Sequence, residues 1–299
     1  MKLERILAAT DLSSRAGLAM ERAIQLAAQH GARLSLLHVL DTTLPEAELL
    51  ETLELSRDSL LQTLTDETRQ RLEEDFIPFA QAAGVAAQAH VIPGRDVPEI
   101  LALARRGNAD LLVLGAHGAH FLRDRLVSTT TEKVVRHGDC PTLVVKHPTQ
   151  GPYRRVLVPV DFSACSRQAA QLAGLLTPQA EITLLHVLDS QVVESLRSAG
   201  LDDRTLDRYY TEQEQHALRE MDQLRATLEY TPAEVRLAPG YPPDVIQASG
   251  RQLEADLVVM GTEGRGRLQR MLLGSVATHA LHESRCDILL VRERSGSRE

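Results

Sequence analysis

A glycine-rich segment between residues 261 and 275 carries the residue types best suited to chemistry. Gly261 and Gly264 are separated by two residues, and Gly274 and Ser275 follow after nine more. Glycine permits a positive φ and lets a ligand approach the backbone closely, so several N–H groups can converge on one anion. Ser275 comes at the predicted start of a helix, whose first N–H groups and dipole also favour an anion. The pattern predicts a polyphosphate site, but the same glycines would also make a plain turn after a strand.

Three arginines, Arg265, Arg267 and Arg270, add positive charge to this segment against one acid, Glu263. Arg267 and Arg270 are better explained as ordinary solvated residues than as ligands of an anion. The whole chain has 33 basic and 41 acidic residues and a net charge of −8, so it has no global attraction to nucleic acid or anionic lipid. Aromatic residues make up only 3%, which argues against a base-stacking surface. We therefore expect no nucleic-acid partner.

The chain contains the same landmarks twice, in the same order and at offsets of 146 to 150 residues. The pairs are 5–13 and 155–163, 36–41 and 184–189, 93–94 and 239–240, 109–118 and 255–264, and Cys140 and Cys286. Chance does not explain five landmarks in register. The repeat predicts two copies of one domain, 1–147 and 153–292, joined by a linker whose prolines and glycine break regular structure.

Each half alternates short apolar strands with helical patterns. Strands that are apolar throughout are typical of a parallel sheet buried on both faces. The alternation predicts two doubly wound, Rossmann-like α/β domains, each with five parallel strands and helices on both faces. Ligands of such folds bind where the strand order reverses, so the loops after strands one and four are the candidate sites. The long helical stretches 45–83, with Pro78 as a break or kink, and 191–229 are either solvated helices or a cover over a cavity or partner surface.

These motifs together resemble the universal stress protein family. The resemblance rests on the Gly-x2-Gly-x9-Gly-Ser spacing, the strand-one Asp161, the Leu-His-Val strand at 185–187, the run 255–261, and Cys286 before a closing apolar strand. It covers nearly the whole chain twice, so the chain looks like a tandem universal stress protein. The resemblance implies that the second half binds ATP or another adenine nucleotide, with Mg²⁺ as a further candidate.

The resemblance also implies roles for individual residues of the second half. Those beside the adenosine would be Pro159, Val160 and Asp161. Those flanking the base would be Val187 and Met260. Those holding the ribose and phosphates would be Gly261, Gly264, Arg265, Gly274, Ser275 and Val276. Two alternatives stay open, since Asp161 also suits a helix N-cap and Val187 and Met260 also suit ordinary core packing.

The first half departs from this pattern. Ser128 replaces the third glycine, where a Cβ would project toward phosphate and a positive φ would be costly. Ala9 and Thr10 stand in place of Pro159 and Val160. We therefore expect one competent nucleotide site per chain, in the second half.

Several histidines and cysteines have structural as well as functional interpretations. His117 and His120 are three residues apart and could belong to a metal site, but no further ligand is evident, so no metal is predicted. Two more histidines, His38 and His186, lie on predicted strands and suit hydrogen-bonded core positions. Cys165 begins a predicted helix, where a low thiol pKa would permit redox sensing, and packing is the alternative.

The resemblance implies a nucleotide-dependent stress-response or regulatory protein, with two alternatives, a slow ATP hydrolase and a scaffold with a structural nucleotide. The chain has no recognisable nucleophile–base pair, and the general-base candidates reduce to Glu263 and His279. Three cysteines without a CxxC motif, and no signal-peptide pattern, predict reduced thiols in the cytoplasm. No apolar run is long enough for membrane insertion. The resemblance implies that the two halves pair through their last strands as a pseudo-dimer; a homodimer of whole chains and the protein partner stay open.

Overall fold

The computed structural model describes residues 2–13, 17–42, 56–116, 127, 129–264 and 273–292. The chain divides into two compact units, Lys2–Gln150 and Gly151–Glu299. None of the described helices is both long and apolar enough to cross a lipid bilayer.

The first unit alternates strands and helices along its described residues. Its elements are β1 (Arg5–Ala9), α1 (Gly17–His30), β2 (Arg33–Asp41), α2 (Arg57–Ala82), β3 (Ala87–Gly94), α3 (Asp96–Arg106), β4 (Leu111–Gly115), α4 (Thr129–His137) and β5 (Thr142–Val145).

The second unit repeats this plan, with two helices after its second strand. Its elements are β6 (Arg155–Pro159), α5 (Ala164–Leu176), β7 (Glu181–Asp189), α6 (Ser190–Ser198), α7 (Asp203–Ala226), β8 (Glu234–Gly240), α8 (Pro242–Gln252), β9 (Leu257–Gly261), α9 (Ser275–Glu283) and β10 (Asp287–Val291). The elements α8, β9 and α9 lie 146 residues after α3, β4 and α4 at both of their ends.

The strand order is the same in both units, β3-β2-β1-β4-β5 in the first and β8-β7-β6-β9-β10 in the second. All the neighbouring strands within each unit pair in parallel. Parallel connections carry the helices over both faces of each sheet. The order reverses beside β1 and β6, so the switch points lie at the carboxyl ends of β1 and β4 and of β6 and β9. The predicted doubly wound α/β fold with two domains is confirmed.

The inner strands form because their side chains are buried on both faces. In β4 and β9 the first four residues, Leu-Leu-Val-Leu and Leu-Val-Val-Met, are all buried. The helix α1 buries Ala19, Met20, Ala23 and Ala27 along one face, as its apolar spacing predicts. Gly31 follows α1 with φ +63°, the left-handed conformation that glycine adopts most readily at a helix end.

Of the predicted break or kink at Pro78, the break is wrong, because α2 continues through this residue to Ala82. Proline removes one N–H donor from the helix and leaves the carbonyl of Glu74 without its usual partner. Since Glu74 and Pro78 are both exposed, water can satisfy that carbonyl. The predicted start of this stretch, at residue 45, lies outside the described residues.

One aspartate in each unit ties the first strand to the fourth. Asp110 Oδ2 accepts hydrogen bonds from the backbone N–H groups of Glu4 and Arg5, at 3.0 Å each. Asp256 repeats the arrangement in the second unit, accepting from the backbone N–H groups of Arg154 and Arg155 at 2.7 and 3.2 Å. The Ala-Asp-Leu run of the repeat therefore has a structural role.

We expect Asp110→Ala and Asp256→Ala to lower the free energy of unfolding by about 1–2 kcal/mol each, because two backbone donors lose their acceptor. Asp110 is 7% exposed and Asp256 is half-buried, so the first substitution should cost more. Chemical denaturation of the two variants measures both effects. Equal stability of Asp110→Ala and the unmodified chain would contradict the assigned role.

Candidate functional site

The backbone at the end of β6 is fixed by its neighbour β7. The N–H of Val160 donates to the carbonyl of Leu185 at 2.8 Å, and His186 Nδ1 lies 2.7 Å from the carbonyl oxygen of Val160. In the first unit, His38 Nδ1 lies 2.9 Å from the carbonyl oxygen of Thr10. These contacts match the hydrogen-bonded role predicted for both histidines. They also fix the backbone immediately before Asp161.

Asp161 closes a tight turn between β6 and α5. Its Oδ1 accepts hydrogen bonds from the N–H of Ser163 at 3.0 Å and from the Ser163 hydroxyl at 2.6 Å. The intervening Phe162 has φ +61°, a left-handed conformation that is uncommon for a non-glycine residue. The N-cap of α5 is Ser163, whose hydroxyl oxygen accepts from the N–H of Ser166 at 3.2 Å. The interpretation of Asp161 as a helix N-cap is therefore wrong.

The second carboxylate oxygen of Asp161 faces the loop after β9. A Cβ on Gly264 would lie 2.8 Å from Asp161 Oδ2, so any larger residue there would push the carboxylate aside. The hydroxyl of Ser163 also lies 3.4 Å from the carbonyl oxygen of Glu263. The loops after β6 and β9 therefore meet at the switch point, as the strand order predicts.

Close packing explains the other two glycines of the motif. A Cβ on Gly261 would lie 2.9 Å from the Cβ of Cys165 and 3.1 Å from the N of Ser166, both at the start of α5. A Cβ on Gly274 would lie 3.1 Å from the carbonyl oxygen of Thr262. Gly274 has φ −61°, so the expectation that the third glycine serves a positive φ is wrong. Its counterpart Ser128 lies outside the described residues.

The helix α9 begins without a side-chain cap. Gly274 is its N-cap residue and offers no side chain, and the first intrahelical bond runs from the N–H of Thr278 to the carbonyl of Gly274. The N–H groups of the first turn, including those of Ser275 and Val276, therefore have no carbonyl partner inside the helix. Together with the positive end of the helix dipole they can bind an anion.

The buried side chain of Thr262 carries a hydroxyl close to the start of α9. Thr262 is 2% exposed, and its Oγ1 has no hydrogen-bond partner within the described part of the chain. A buried hydroxyl without a partner costs about 1–3 kcal/mol. The corresponding residue of the first unit is Ala116, so this polar atom is particular to the second unit.

A cavity of about 220 Å³ lies at the carboxyl ends of β6 and β7. Asp161 and Val187 line it, as do Phe162 and His186, whose ring centroids lie 4.5 Å apart. The remaining lining comes from the end of β7 and from α6 and α7, namely Leu188, Asp189, Val192, Val193, Tyr209, Tyr210, Gln213, His216 and Ala217. Of the two interpretations of stretch 191–229, a cover over a cavity agrees with this geometry.

An ion pair holds α7 against the start of α5. Arg167 Nη2 lies 2.7 Å from Glu220 Oε2, and Arg167 Nε donates to the carbonyl oxygen of Phe162 at 3.2 Å. The Arg167 and Glu220 side chains are 32% and 18% exposed, which protects the pair from full screening by solvent. The contact therefore links the covering helix to the Asp161 turn.

The predicted site residues do not all lie together. Asp161 and Gly264 are in direct proximity, and Asp161 and Val187 share the cavity. Pro159, Val160 and Met260 are buried among core side chains, whereas Gly261 ends β9, Gly274 is the N-cap of α9 and Ser275 begins that helix. Val276 is set apart, because its side chain lines a groove between α8 and α9. Arg265 lies outside the described residues.

Sequence reasoning missed the aromatic and histidine side chains of the cavity. Tyr209, Gln213 and His216 follow one another at spacings of four and three, which places them on one face of α7. This spacing predicts that the three side chains share one face of α7, but it does not predict that this face covers a cavity. Nothing in the sequence marks Thr262 as a site residue, since a threonine after a strand is ordinary.

The first unit keeps the same turn. Asp11 Oδ1 accepts from the N–H and hydroxyl of Ser13 at 3.1 and 2.6 Å, and Leu12 has φ +58°. The loop with His117 and His120 lies outside the described residues. Within the part of the chain that is described, no three His, Cys, Asp or Glu residues cluster as metal ligands.

The strand order defines a doubly wound α/β protein whose candidate site lies at the switch point. A family model described as the universal stress protein family matches residues 2–146 and again residues 152–292. The chain therefore belongs to the universal stress protein family and carries two copies of its domain.

The similar proteins include chains about as long as this one and chains about half as long. Universal stress protein Rv2623 of Mycobacterium tuberculosis is 25% identical over 236 residues, which is 75% of this chain and 76% of that protein. Universal stress protein A homolog 1 of Coxiella burnetii is 32% identical over 146 residues, which is 48% of this chain and 97% of that protein. The crystal structure of a universal stress protein from Archaeoglobus fulgidus has the same fold, with a TM-score of 0.65, 21% identity and coverage of 99% of this chain and 100% of that one.

Proposed function

We propose that the second unit binds an adenine nucleotide, ATP, with Mg²⁺ as a further candidate, and that the chain acts as a nucleotide-dependent stress-response regulator. The observation that carries the proposal is the meeting of two loops at the switch point, where Asp161 Oδ2 faces Gly264 beside a cavity of about 220 Å³. Ligands of doubly wound folds bind at this place.

The residues fit the parts of such a ligand. The cavity beside Val187, Phe162 and His186 offers apolar and aromatic surface for the base, and Asp161 is a hydrogen-bond acceptor for a hydroxyl of the ribose. The uncapped first turn of α9, after Gly274 and Ser275, offers N–H donors for phosphate. Val276, in the first turn of α9, would contribute its backbone N–H.

The regulatory step would be a shift in populations. A ligand moves a conformational equilibrium only through its different affinities for the two states. The nucleotide would stabilise one arrangement of the Asp161 turn and the start of α9, and a partner protein would distinguish the bound surface from the free one. Partner pull-downs with and without ATP, repeated with Gly274→Val, test this step. An unchanged set of partners would instead favour a scaffold whose nucleotide is structural.

Titration calorimetry of the full chain with Mg-ATP tests the binding itself. We expect one ATP per chain, and mass spectrometry of small molecules released from the purified protein should identify any retained adenine nucleotide. Two equivalent sites, or no heat of binding at millimolar ATP, would contradict the proposal. Steady-state turnover near 1 s⁻¹ or faster, in the ordinary enzyme range of about 1–10³ s⁻¹, would favour the hydrolase instead.

A further inference from the structure

A second cavity of the second unit lies between α8 and α9 and has a volume of about 380 Å³. Its apolar lining includes Val258 of β9, Ile246 of α8 and Ala280 of α9, all three of them buried. Small-molecule sites have volumes of roughly 300–1,000 Å³, and an engineered apolar cavity of about 150 Å³ already binds benzene. The space is therefore large enough for a ligand with one or two rings.

The first unit shows which side chains are missing from this space. Residues 146 positions earlier occupy the matching places on α3, β4 and α4, and they are buried together in one hydrophobic cluster. In the first unit these residues are Leu101, Ala104, Leu112 and Val134. In the second unit they are Gln247, Gly250, Val258 and Ala280, and all four line the cavity. Three of the four replacements are smaller and the fourth is polar, so apolar atoms that fill the first unit are absent from the second.

The polar replacement, Gln247, already has a partner in the protein. Its Nε2 donates to the carbonyl oxygen of Glu283, the last residue of α9, at 3.4 Å. Throughout this lining, all of which belongs to the described residues, no buried side-chain nitrogen or oxygen lacks a hydrogen bond. A ligand therefore has no buried polar side chain to satisfy, and it would bind by covering apolar surface.

The charged side chains of the lining belong to its outer edge. They are two arginines and two glutamates, Arg251, Glu254, Glu283 and Arg285, and all four are exposed. Glu254 Oε2 also lies 3.0 Å from Arg155 Nη1. Water and salt screen charges at exposed positions, and both signs are present, so an ionic ligand would gain little here. The interior of the cavity thus favours an uncharged ligand.

We propose that this cavity binds an uncharged, apolar small molecule of one or two rings, held between α8 and α9 above Val258. The site is distinct from the proposed nucleotide site and does not depend on it. Asp161 and Val187 line the other cavity and are absent from this one, although Val276, one of the residues assigned to the nucleotide, lines it.

A fluorescence titration of the full chain with 2-naphthol, which is uncharged at neutral pH, tests the proposal. The chain contains no tryptophan, so the naphthyl emission is measured without that background. The comparison probes are 2-naphthoate and 2-naphthylmethylammonium, one ion of each sign. We expect one 2-naphthol per chain, bound more tightly than either ion, because an ion loses hydration without a buried partner. No saturable binding at millimolar 2-naphthol would overturn the site, and tighter binding of either ion would overturn the uncharged ligand.

The titration is repeated with saturating Mg-ATP, because the cavity beside Val187 also offers apolar surface to an aromatic probe. We expect the affinity for 2-naphthol to be unchanged. Displacement of 2-naphthol by ATP would place the probe in the nucleotide site and overturn the proposal.

A variant that copies the first unit shows whether 2-naphthol occupies this cavity. Gly250→Ala, Val258→Leu and Ala280→Val together restore three of the missing side chains. A Cβ on Gly250 would lie 3.9 Å from Leu157 Cδ2, so the added methyl has room. We expect the triple variant to lose at least ten-fold in affinity for 2-naphthol, because its side chains take the place of the ligand. Since filling a cavity commonly stabilises a protein, its unfolding temperature should be no lower than that of the unmodified chain.

Ala280→Val alone, which adds two carbons, repeats the test with a smaller change in the core and a smaller expected loss. The matched control is Ala248→Val, the same substitution at an exposed position of α8 that does not line the cavity. We expect Ala248→Val to bind 2-naphthol as the unmodified chain does. Unchanged affinity in both refilled variants, or an equal loss in Ala248→Val, would contradict the proposal. Thermal unfolding with and without 2-naphthol gives a second readout, since a ligand raises the unfolding temperature only of a protein that binds it.

Discussion

Replacing Asp161 with alanine is expected to weaken ATP binding by about 10- to 100-fold. The carboxylate faces the loop of Gly264 at the edge of the cavity, and loss of a hydrogen bond to a charged group costs about 1.5–3 kcal/mol. Titration calorimetry with Mg-ATP measures the change. Gly264→Ala should act in the same direction, because its Cβ would displace Asp161 Oδ2.

The repeat supplies a matched control in Asp11→Ala. Asp11 makes the same turn in the first unit, with its Oδ1 2.6 Å from the Ser13 hydroxyl, as Asp161 Oδ1 is from that of Ser163. Both substitutions remove one such turn, so both should lower stability to a similar extent. Only Asp161→Ala should change the ATP affinity. Equal losses of affinity in the two variants, or none in Asp161→Ala, would refute a nucleotide site confined to the second unit.

Replacing Gly174 with alanine is expected to destabilise the second unit by about 1–3 kcal/mol, because the added methyl overpacks a closed contact. A Cβ on Gly174 would overlap the ring of Tyr230, 2.5 Å from its Cε1. The ring has little freedom to move, since the Tyr230 hydroxyl donates to the carbonyl of Ala170 at 2.9 Å. Burial raises the pKa of that hydroxyl above its ordinary value, so it stays protonated and keeps its hydrogen bond into the alkaline range.

Differential scanning calorimetry measures this loss, at about 2–4 °C per kcal/mol for a domain of this size. Gly17→Ala is the control, because Gly17 also lies in a helix and an added Cβ there meets nothing within 4 Å. Adding Tyr230→Leu to Gly174→Ala should recover part of the loss through their coupling. A Gly174→Ala variant as stable as Gly17→Ala would show that the Tyr230 contact does not limit this position.

The sequence predicts the fold well because its strongest signals are local and occur twice. Apolar strands such as 111–115 and 257–261, separated by helical spacing, are enough to indicate a parallel sheet with its switch points. Helix ends are less predictable. Pro78 did not end α2, because an exposed helix can leave one carbonyl to water.

The candidate site is predicted in its location but not in its contacts. Whether Asp161 caps a helix or closes a turn depends on the φ of Phe162, which the residue type does not reveal. Gly274 is required by the nearby carbonyl of Thr262, a contact between residues twelve apart in sequence. Tyr209 reaches the cavity from a helix that begins after β7, and the spacing of a helix shows which face is apolar but not what it covers.

Leu12 and Phe162 adopt the same left-handed backbone, at φ +58° and +61°, in two copies whose neighbouring side chains have diverged. Strain of this kind is usually sought as a marker of ligand sites. Because the left-handed residue occurs in both copies, it belongs to the connection between the first strand of each unit and the helix that follows. The turn is therefore part of the architecture that the duplication copied, and a difference in ligand between the two units is to be sought in side chains that only one of them carries, such as Thr262.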